Sequence, residues 1–516
     1  MNIIRFTDLK LFNSQAIRDL EAKIDCEVPN ANLMKKAGKA TAILARQLIK
    51  NAPHSVLILA GPGNNGGDAC AAAADLAKNG YHVTVILCAD PAFYSLDGKE
   101  NFKKALSRKV TFRNCDALPI LLKLNYSLVI DGLFGIGLTR PISGTYKEVV
   151  TLINEYASIK QVKVLSIDVP SGLNADTGSI VSSQTEEGIA IHADTTLTLL
   201  GNKPGLHTSD GNDYAGKVIF SDLDVQPKQL PATSALLNHA PAFTFKLAPR
   251  KQNSHKGSYG DVIVIGGEKG MLGAGILAAR SALYAGAGKV HLYLINYAIS
   301  YDVQHPEIMC KDAADMMINK EVVVIGPGMG DSALAKGLVA NALLSDTQLV
   351  IDADALNLIA ANSDLQEKLA SRTAMSILTP HPLEAARLLQ KTSKEIQSDR
   401  CSAALSLANK FNCVVILKGS GSIICNQHGD LRINTTGNPG LATGGTGDVL
   451  SGLCGSLLAQ GLNAFESAQL ATWSHGAAAD QLVAKGIGPI GINASELPVA
   501  IRRCLNVFTT NQDSIA

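Results

Sequence analysis

The chain has 516 residues and a formal net charge of +1, with 46% apolar and 18% charged residues. A chain of this length exceeds what one hydrophobic core usually spans, so we expect two or three domains. The composition excludes a disordered chain, and the balanced charge gives no electrostatic reason to expect nucleic acid as a partner.

The cysteines and the N-terminal residues indicate the cellular compartment in which the protein is expected. The ten cysteines form no Cys-x-x-Cys pair, and most lie in apolar stretches. This argues against a disulfide framework or a zinc site and favours free thiols in a reducing compartment. Residues 1–25 carry charges throughout, and no window approaches the roughly 20 apolar residues that cross a bilayer. We therefore expect a cytoplasmic protein without a membrane partner.

Short β-branched apolar runs alternate with Ala- and Leu-rich helical stretches along the whole chain. The predicted strands are 55–60, 83–88, 128–131, 164–168, 262–266, 322–326, 349–352 and 414–418. Continuous apolar strands separated by helices indicate parallel sheets covered on both faces. In such sheets ligands bind beyond the carboxyl ends of the strands, so the residues that follow each strand are candidate site residues.

One segment breaks this alternation. Residues 224–250 contain four prolines and show little regular periodicity. The halves on either side have no obvious self-similarity, which indicates a fusion of two different α/β domains. We place these domains at residues 1–222 and 223–516.

A glycine-rich turn stands out in the N-terminal half. The strand 55–60 runs into GPGNNGGD at 61–68, and the spacing predicts a helix over 69–79. A strand, a glycine turn and a helix N-terminus together present backbone N–H groups and a positive dipole end to phosphate. The spacing excludes a G-x-G-x-x-G fingerprint and a Walker loop. The alternative is a purely structural turn with Asp68 in the first helical turn.

Two further strands of this half end in acids. Asp131 closes one strand and precedes a second glycine-rich segment, and Asp168 closes the next. Either acid could cap a helix instead. Together with the glycine turn they are expected at one sheet edge, which predicts a site. Arg140 suits a phosphate contact and a solvated surface position equally well.

The motifs GPGNNGGDA, DGLFGIGLTRPISGTY and DVPSGLNADTG resemble the YjeF N-terminal family of NAD(P)H-hydrate epimerases over residues 8–220. We expect a Rossmann-like three-layer domain here. The resemblance implies that the hydrated dinucleotide, NAD(P)HX, is bound by Asn64, Asn65, Gly66, Gly67, Asp68, Gly135, Ile136, Gly137, Leu138, Thr139, Arg140, Pro141, Tyr146 and Asp168. It also implies a potassium ion held by Asn65, Asp131 and Ser171.

Epimerisation inverts the carbon that bears the added hydroxyl. The neighbouring ring nitrogen can expel the hydroxyl, and water then returns to the other face. This chemistry needs a carboxylate that hands a proton to the leaving oxygen and takes one back. We assign Asp168 to that role, because Asp131 is expected to hold the cation.

The strongest signal of the C-terminal half is TTGNPGLATGGTGD at 435–448, which leads into an apolar helix. The glycines let consecutive N–H groups point inward and form an anion hole. Asp448 is placed to accept a proton from a hydroxyl that attacks phosphorus, and we expect it to be a base of low pKa. The alternative is an aspartate that only caps the helix.

This element resembles the ribokinase-like fold, so we expect a ribokinase-like α/β domain. With KGSYGD, GMLGAG, GPGMG, DADALN, LTPHPLEA and KGSGS in that order, residues 240–505 resemble the YjeF C-terminal family of nucleotide-dependent NAD(P)H-hydrate dehydratases. The resemblance implies that NAD(P)HX contacts Ala274, Gly330, His381 and Asp448. It implies that the adenine nucleotide is held by Lys418, Gly419, Ser420, Gly421, Ser422 and Gly447.

In this family Asp448 would activate the ring hydroxyl, the terminal phosphoryl group would move to it, and phosphate would then leave. The fused architecture favours ADP as the co-substrate, and Mg²⁺ is expected to neutralise the transferred phosphates. Simpler roles stay open: His381 could form a rigid surface turn and Lys418 could be a surface lysine. Asp352 and Asp354 at a strand end could bind Mg²⁺ or cap a helix, and we interpret both as structural.

The leading hypothesis is a bifunctional repair enzyme that acts on NAD(P)HX and ADP, which we expect to form a homo-oligomer. A second hypothesis is a small-molecule kinase for a vitamin precursor or a sugar. Against it stands the dinucleotide-type loop of the other half, which a simple kinase would not need. A third treats the N-terminal half as a ligand sensor or interaction module. The retained Asp131, Asp168 and NNGGD loop argue against this third reading.

Overall fold

The structure is a computed structural model that describes residues 6–27, 31–49, 54–183, 185–240 and 243–513. The chain forms two compact units that divide between Thr233 and Ser234. Each unit is built on a largely parallel sheet, so the predicted α/β class is confirmed in both. Within the described ranges, no helix combines the length and apolar character that a membrane crossing requires.

The first unit contains a seven-stranded, fully parallel sheet in the order β3-β2-β1-β4-β5-β6-β7. Its strands are β1 (Ser55–Ala60), β2 (His82–Leu87), β3 (Thr111–Asn114), β4 (Leu128–Gly132), β5 (Lys163–Ile167), β6 (Thr195–Leu199) and β7 (Lys217–Ser221). Its helices are α1 (Ser14–Glu27), α2 (Leu33–Leu48), α3 (Asn64–Lys78), α4 (Leu96–Ser107), α5 (Leu118–Leu121), α6 (Gly144–Lys160) and α7 (Gly211–Tyr214).

Alternating burial explains why this sheet is covered on both faces. In β1, Val56 and Ile58 pack into one apolar cluster, and Leu57 and Leu59 pack into another. All four side chains are completely buried, as expected for a central parallel strand. The strand order reverses between β1 and β4, and this reversal opens a crevice at their carboxyl ends.

The second unit contains a ten-stranded sheet in the order β11-β10-β9-β12-β13-β14-β15-β16-β17-β8. Its strands are β8 (Ala235–Asn238), β9 (Asp261–Gly266), β10 (Lys289–Leu294), β11 (Met309–Asp312), β12 (Val322–Ile325), β13 (Leu349–Ile351), β14 (Ser376–Leu378), β15 (Val414–Leu417), β16 (Ile423–Cys425) and β17 (Leu431–Asn434). β16 runs antiparallel to both of its neighbours, and the other pairs are parallel.

The helices of the second unit are α8 (Leu272–Tyr284), α9 (Ala333–Leu344), α10 (Ala353–Ala360), α11 (Ser363–Ala370), α12 (Pro382–Leu389), α13 (Ser393–Ser398), α14 (Arg400–Phe411), α15 (Thr446–Ala459), α16 (Ala464–Ala484) and α17 (Leu497–Asp513). Two apolar clusters again occupy the two faces of the sheet. The strand order reverses between β9 and β12, so a second crevice is expected at their carboxyl ends.

Every predicted strand is present within one residue of its predicted bounds, but two other expectations were wrong. Residues 224–250 contain the strand β8, which pairs with β17, a strand far away in the sequence. The helix predicted to start at residue 69 begins at Asn64, so the NNGGD motif forms its first five residues. Glycine is needed there despite its low helix propensity, because a Cβ at Gly66 would lie 1.9 Å from the Gly61 carbonyl oxygen.

Candidate active sites

A cavity of about 470 Å³ lies at the carboxyl edge of the first sheet. It is lined by Ile17, Arg18, Glu21, Pro62, Gly63, Asn64, Asn65, Asp68, Leu133, Phe134, Gly135, Ile136, Gly137, Leu138, Thr139, Arg140, Asp168 and Leu199. The loops after β1 and β4 supply most of this wall, so the cavity lies where the strand order reverses. The structure thus brings together most of the residues predicted to bind the dinucleotide.

Four predicted residues of this half lie outside the cavity wall. These are Gly66, Gly67, Pro141 and Tyr146. The Tyr146 ring packs against the lining residue Phe134 with 5.0 Å between ring centroids. Tyr146 therefore supports the wall of the cavity from behind.

Asp168 is held rigidly at the end of β5. Its backbone is in the left-handed region, with φ of 67°, and its N–H donates to the Leu197 carbonyl at 2.8 Å. Its carboxylate accepts the N–H of Leu199 at 3.2 Å and forms an ion pair with Lys203. The Lys203 side chain is completely buried and also donates to the Leu199 carbonyl at 2.7 Å. A strained, ion-paired carboxylate facing a cavity is typical of a functional position.

Two more carboxyl groups line the same cavity. Burial, followed by the charge of Asp168, raises the pKa of Glu21 to about 7. Burial, followed by the charges of Asp168 and Glu21, raises the pKa of Asp68 well above its usual value. The sequence analysis missed Glu21 and Lys203. Glu21 looks like any polar residue of an amphipathic helix, and the turn around Lys203 gave no sign of its contact with Asp168.

The residues predicted to hold potassium also meet in the first unit. Asp131 is completely buried, and its carboxylate accepts the Ser171 hydroxyl at 2.6 Å, the Ser171 N–H at 2.9 Å and the Ser166 hydroxyl at 2.9 Å. Burial raises the pKa of Asp131, and hydrogen bonds from these neutral groups oppose that rise. The buried Asn65 Nδ2 has no hydrogen-bond partner among the described residues.

In the second unit, the ends of β13 and β15 meet through an ion pair. Lys418 Nζ lies 2.8 Å from Asp352 Oδ1 and 4.0 Å from Glu384 Oε2. The Asp352 side chain is only 1% exposed and also accepts the Ser451 hydroxyl of α15 at 2.9 Å. It accepts the Ala353 N–H at the start of α10 as well, so it caps this helix. Its ion pair with Lys418 was not predicted.

Asp448 lies in the first turn of α15, as predicted, but its expected low pKa was wrong. Burial, followed by the charge of Asp352, raises the pKa of Asp448 to about 7, and Lys418 opposes the rise. The same turn packs closely on Lys418, because a Cβ at Gly447 would lie 3.2 Å from Lys418 Nζ. His475, which the sequence analysis also missed, contacts the Thr446 carbonyl through Nε2 at 3.0 Å.

His381 caps helix α12 and faces the same cluster. Its Nδ1 accepts the N–H groups of Leu383 at 3.1 Å and Glu384 at 3.2 Å. A neutral ring therefore carries its proton on Nε2, which lies 3.2 Å from Glu384 Oε1. Burial raises the pKa of Glu384 to about 7, with Lys418 opposing and Asp352 adding to the rise. The sequence analysis left Glu384 unassigned.

The remaining predicted residues surround this cluster. Ala274 begins α8 and meets the loop after β12, because a Cβ at Gly328 would lie 3.0 Å from Ala274 Cβ. The Gly330 N–H donates to Asp354 Oδ2 at 2.9 Å. The segment 418–422 turns between β15 and β16, where the Gly419 N–H donates to Ser422 Oγ at 3.3 Å. Among the described residues, no group of three or more His, Cys, Asp or Glu side chains has the arrangement of a metal site.

Comparisons with known proteins agree with both resemblances. The family model described as YjeF-related protein N-terminus matches residues 30–205, and the one described as NAD(P)H-hydrate dehydratase matches residues 262–503. A solved ADP/ATP-dependent NAD(P)H-hydrate dehydratase from Bacillus subtilis is 28% identical, with a TM-score of 0.44, over 51% of this chain and 95% of its own.

Curated relatives match nearly the whole chain. The bifunctional NAD(P)H-hydrate repair enzyme Nnr of Coxiella burnetii is 35% identical over 96% of this chain and 99% of its own length. The enzyme of the same name from Escherichia coli is 33% identical over 93% of this chain and 90% of its own length. The chain therefore belongs to the family of bifunctional NAD(P)H-hydrate repair enzymes.

Proposed function

We propose that residues 1–222 interconvert the R and S epimers of NAD(P)HX and that residues 223–516 convert the S epimer to NAD(P)H at the expense of ADP. The observation that supports this division is that each half matched by a family model has its own cluster of acids and one buried or half-buried lysine. Both clusters follow the carboxyl ends of parallel strands, where ligands of α/β sheets bind.

In the first unit, the dinucleotide would occupy the 470 Å³ cavity. The segments 64–68 and 135–141 would bind it, with Tyr146 behind the wall. The N-terminus of α3 and the exposed Arg140 suit the negative pyrophosphate. Asp168 would take part in the proton exchange at the carbon that bears the hydroxyl, because its ion pair with Lys203 holds the carboxylate in one position.

The proposed potassium site fits the residues present. The carbonyl oxygen of Phe134 lies 3.2 Å from Ser171 Oγ, which in turn lies 2.6 Å from Asp131 Oδ1. These are oxygen ligands of the kind that a hard cation prefers. The groups that donate hydrogen bonds to the buried Asp131 are neutral, so they supply no counter-charge for it. With the Asn65 side chain, they would hold the ion, whose positive charge would compensate Asp131.

Thermal unfolding tests this site without an activity assay. At equal ionic strength, KCl should raise the first unit's unfolding midpoint above that in tetramethylammonium chloride, because a ligand that binds only the folded state stabilises it. Asp131→Asn should remove the difference, whereas Asp194→Asn, at the other end of the strands, should keep it. Equal midpoints in the two salts for the unaltered chain would contradict the potassium site.

In the second unit, Ala274, Gly330, His381 and Asp448 would contact NAD(P)HX. The segment 418–422 and Gly447 would hold ADP, and Mg²⁺ would neutralise its phosphates, with Asp352 and Glu384 as the nearby carboxylates. Asp448 would take the proton of the ring hydroxyl while that oxygen bonds to the terminal phosphorus and AMP leaves. Phosphate then departs with a ring proton, which restores the double bond.

The test is recovery of the reduced-nicotinamide absorbance from a mixture of both hydrate epimers with Mg²⁺ and either ADP or ATP. Complete recovery with ADP is the expected result, because the epimerase feeds the dehydratase. Recovery that stops at the share of one epimer would contradict the epimerase function. No recovery with either nucleotide would favour the small-molecule kinase.

We also propose a cytoplasmic homo-oligomer. The ten cysteines, all within the described ranges, form no disulfide with one another, which suits a reducing compartment. Both units carry large apolar side chains that are almost fully exposed, among them Leu96 (86%) and Ile490 (95%). Light scattering after size-exclusion chromatography should give a multiple of the chain mass of 54.1 kDa, and a monomer mass would contradict the oligomer.

A further inference from the structure

The first unit's cavity contains more acids than one proton-exchanging carboxylate requires. Glu21, Asp68 and Asp168 all line it. Among the described residues, Asp168 alone of these three forms an ion pair, with the buried Lys203. An ion-paired carboxylate can accept a proton but has none to give. Loss of a hydroxyl group needs a donor, and the return of water needs an acceptor, so the reaction calls for two groups in different protonation states.

Glu21 is fixed at the cavity by helix α1. Its neighbours Ile17, Leu20 and Ile24 are buried and anchor that helix in the core. One turn earlier, Arg18 Nη2 donates to the Ile136 carbonyl at 3.1 Å, which ties the helix to the glycine-rich loop after β4. The Glu21 side chain is half-buried, so it borders the cavity and still reaches solvent.

The charges around Glu21 favour its neutral form. Arg18 and Asp25 face it from its own helix, Asp168 and Lys203 from the ends of β5 and β6, and Asp68 from α3. Burial and Asp168 raise the pKa of Glu21, and Lys203 and Arg18 only partly oppose that rise, so the pKa is about 7. Glu21 is thus protonated up to neutral pH, while Asp168 is engaged with Lys203.

We propose that Glu21 is the proton donor of epimerisation and that Asp168 is the acceptor, a division of roles that rests on the proposed epimerase function. The Glu21 carboxyl gives its proton to the ring hydroxyl as the C–O bond breaks, the ring nitrogen supplies its electron pair to form the C=N bond, and water leaves. A water molecule then bonds to the same carbon from the other face and gives one proton to Asp168. In the opposite direction the same steps run backwards.

Asp68 is the competing donor. Burial and the charges of Asp168 and Glu21 raise the pKa of its carboxyl group too, but the residue is only 9% exposed and is the fifth residue of α3. A donor must regain its proton from solvent after each turnover, and half-buried Glu21 is better placed to do so than buried Asp68. Asp68 is therefore assigned to holding the substrate.

The test uses the full chain, a purified epimer of NADHX and no nucleotide, so that only epimerisation proceeds. Glu21→Gln should lower kcat about 10²- to 10⁴-fold, the usual loss when a positioned acid is removed, with KM unchanged. In the unaltered chain kcat should fall as pH rises through about 7, because the donor loses its proton, and this alkaline limb should be absent in Glu21→Gln. Glu21→Asp should restore part of the rate.

Two controls separate this inference from folding defects and from the function itself. Asp19→Asn, on an exposed position of the same helix, should epimerise like the unaltered chain. Dehydration of the S epimer with ADP should be unchanged in all variants. If Glu21→Gln keeps both the rate and the alkaline limb, or if the limb disappears in Asp68→Asn instead, Glu21 is not the donor. If the unaltered chain dehydrates but does not epimerise, the proposed epimerase function itself fails.

Discussion

Each of the two sites of this chain contains a lysine–aspartate ion pair next to an acid of raised pKa. The sites differ in how accessible the ion-paired aspartate is. In the first unit Lys203 pairs with Asp168, and the neighbouring Glu21 has a pKa of about 7. In the second unit Lys418 pairs with Asp352, and the neighbouring Asp448 has a pKa of about 7. In each case one lysine neutralises one acid, and burial leaves another acid close to half-protonated at neutral pH.

The difference lies in where the ion-paired aspartate sits. Asp168 lines the cavity and can act on the substrate, whereas Asp352 is 1% exposed beneath the first turn of α15. The first site therefore offers an acceptor and a donor together, as proton exchange at one carbon requires. The second offers a single base next to a lysine and a helix N-terminus, as phosphoryl transfer requires. With the proposed roles, similar ion pairs in similar sheets would serve two chemistries.

Removing the base of the second site should give the largest effect. Asp448→Asn should lower dehydration about 10²- to 10⁴-fold, because it removes the group proposed to take the hydroxyl proton. Epimerisation should stay unchanged, since the first unit has its own acids. Dehydration is measured with S-NADHX and ADP. Asp364→Asn, at an exposed position of α11, is the matched control. Dehydration near the normal rate in Asp448→Asn would show that the two sites do not divide the chemistry as described.

The two lysines should differ in their contribution to stability. Lys418→Met should destabilise the second unit by about 3–5 kcal/mol, because it leaves the Asp352 carboxylate, whose side chain is only 1% exposed, without its ion-pair partner. Lys203→Met should cost the first unit less, because the Asp168 carboxylate is 13% exposed and lines the cavity, where water can solvate it. The exposed Lys217→Met is the control.

Urea unfolding can separate the units. The single tryptophan, Trp473, lies in α16 of the second unit, so its fluorescence follows that unit, while circular dichroism follows both. Lys203→Met should shift the part of the dichroism transition that belongs to the first unit. The fluorescence transition of Trp473 should stay unchanged. Equal losses for Lys203→Met and Lys418→Met would contradict the difference in burial.

A smaller effect is expected where α15 meets Lys418. A Cβ at Gly447 would lie 3.2 Å from Lys418 Nζ, so Gly447→Ala should displace the lysine and raise KM for ADP about tenfold, or ~1.4 kcal/mol. Gly337→Ala in α9 is the matched control, because a Cβ there meets no atom within 4 Å. An unchanged KM for ADP in Gly447→Ala would show that ADP does not bind at the start of α15.

The sequence predicted the parts of the fold and the sites that local patterns encode. Apolar β-branched runs located eight of the seventeen strands in the described ranges, and glycine-rich turns after some of them located both crevices. The strand β8 escaped prediction because its only partner, β17, is almost two hundred residues away and because prolines surround it. The early start of α3 was not predicted because glycine is a poor helix former. In the structure, glycine is required at this helix start because it packs tightly against Gly61.

The missed site residues share a different cause. Lys203 and Asp168 are 35 positions apart, and Lys418 and Asp352 are 66 apart, so neither ion pair leaves a local pattern. The raised pKa of Asp448 depends on burial and on Asp352, which only the folded structure brings together. Glu21 is one of several acids on α1 and differs from Asp19 and Asp25 only in facing the cavity.

The most direct test compares the pH dependence of the two half-reactions in one preparation of the full chain. Epimerisation of NADHX without nucleotide should slow as pH rises through about 7, because Glu21 must keep its proton. Dehydration of S-NADHX with ADP should accelerate over the same range, because Asp448 must lose its proton. Opposite slopes are the predicted result. Two profiles that rise or fall together, or that are both flat between about pH 6 and 8, would contradict the use of one acid and one base at the two sites.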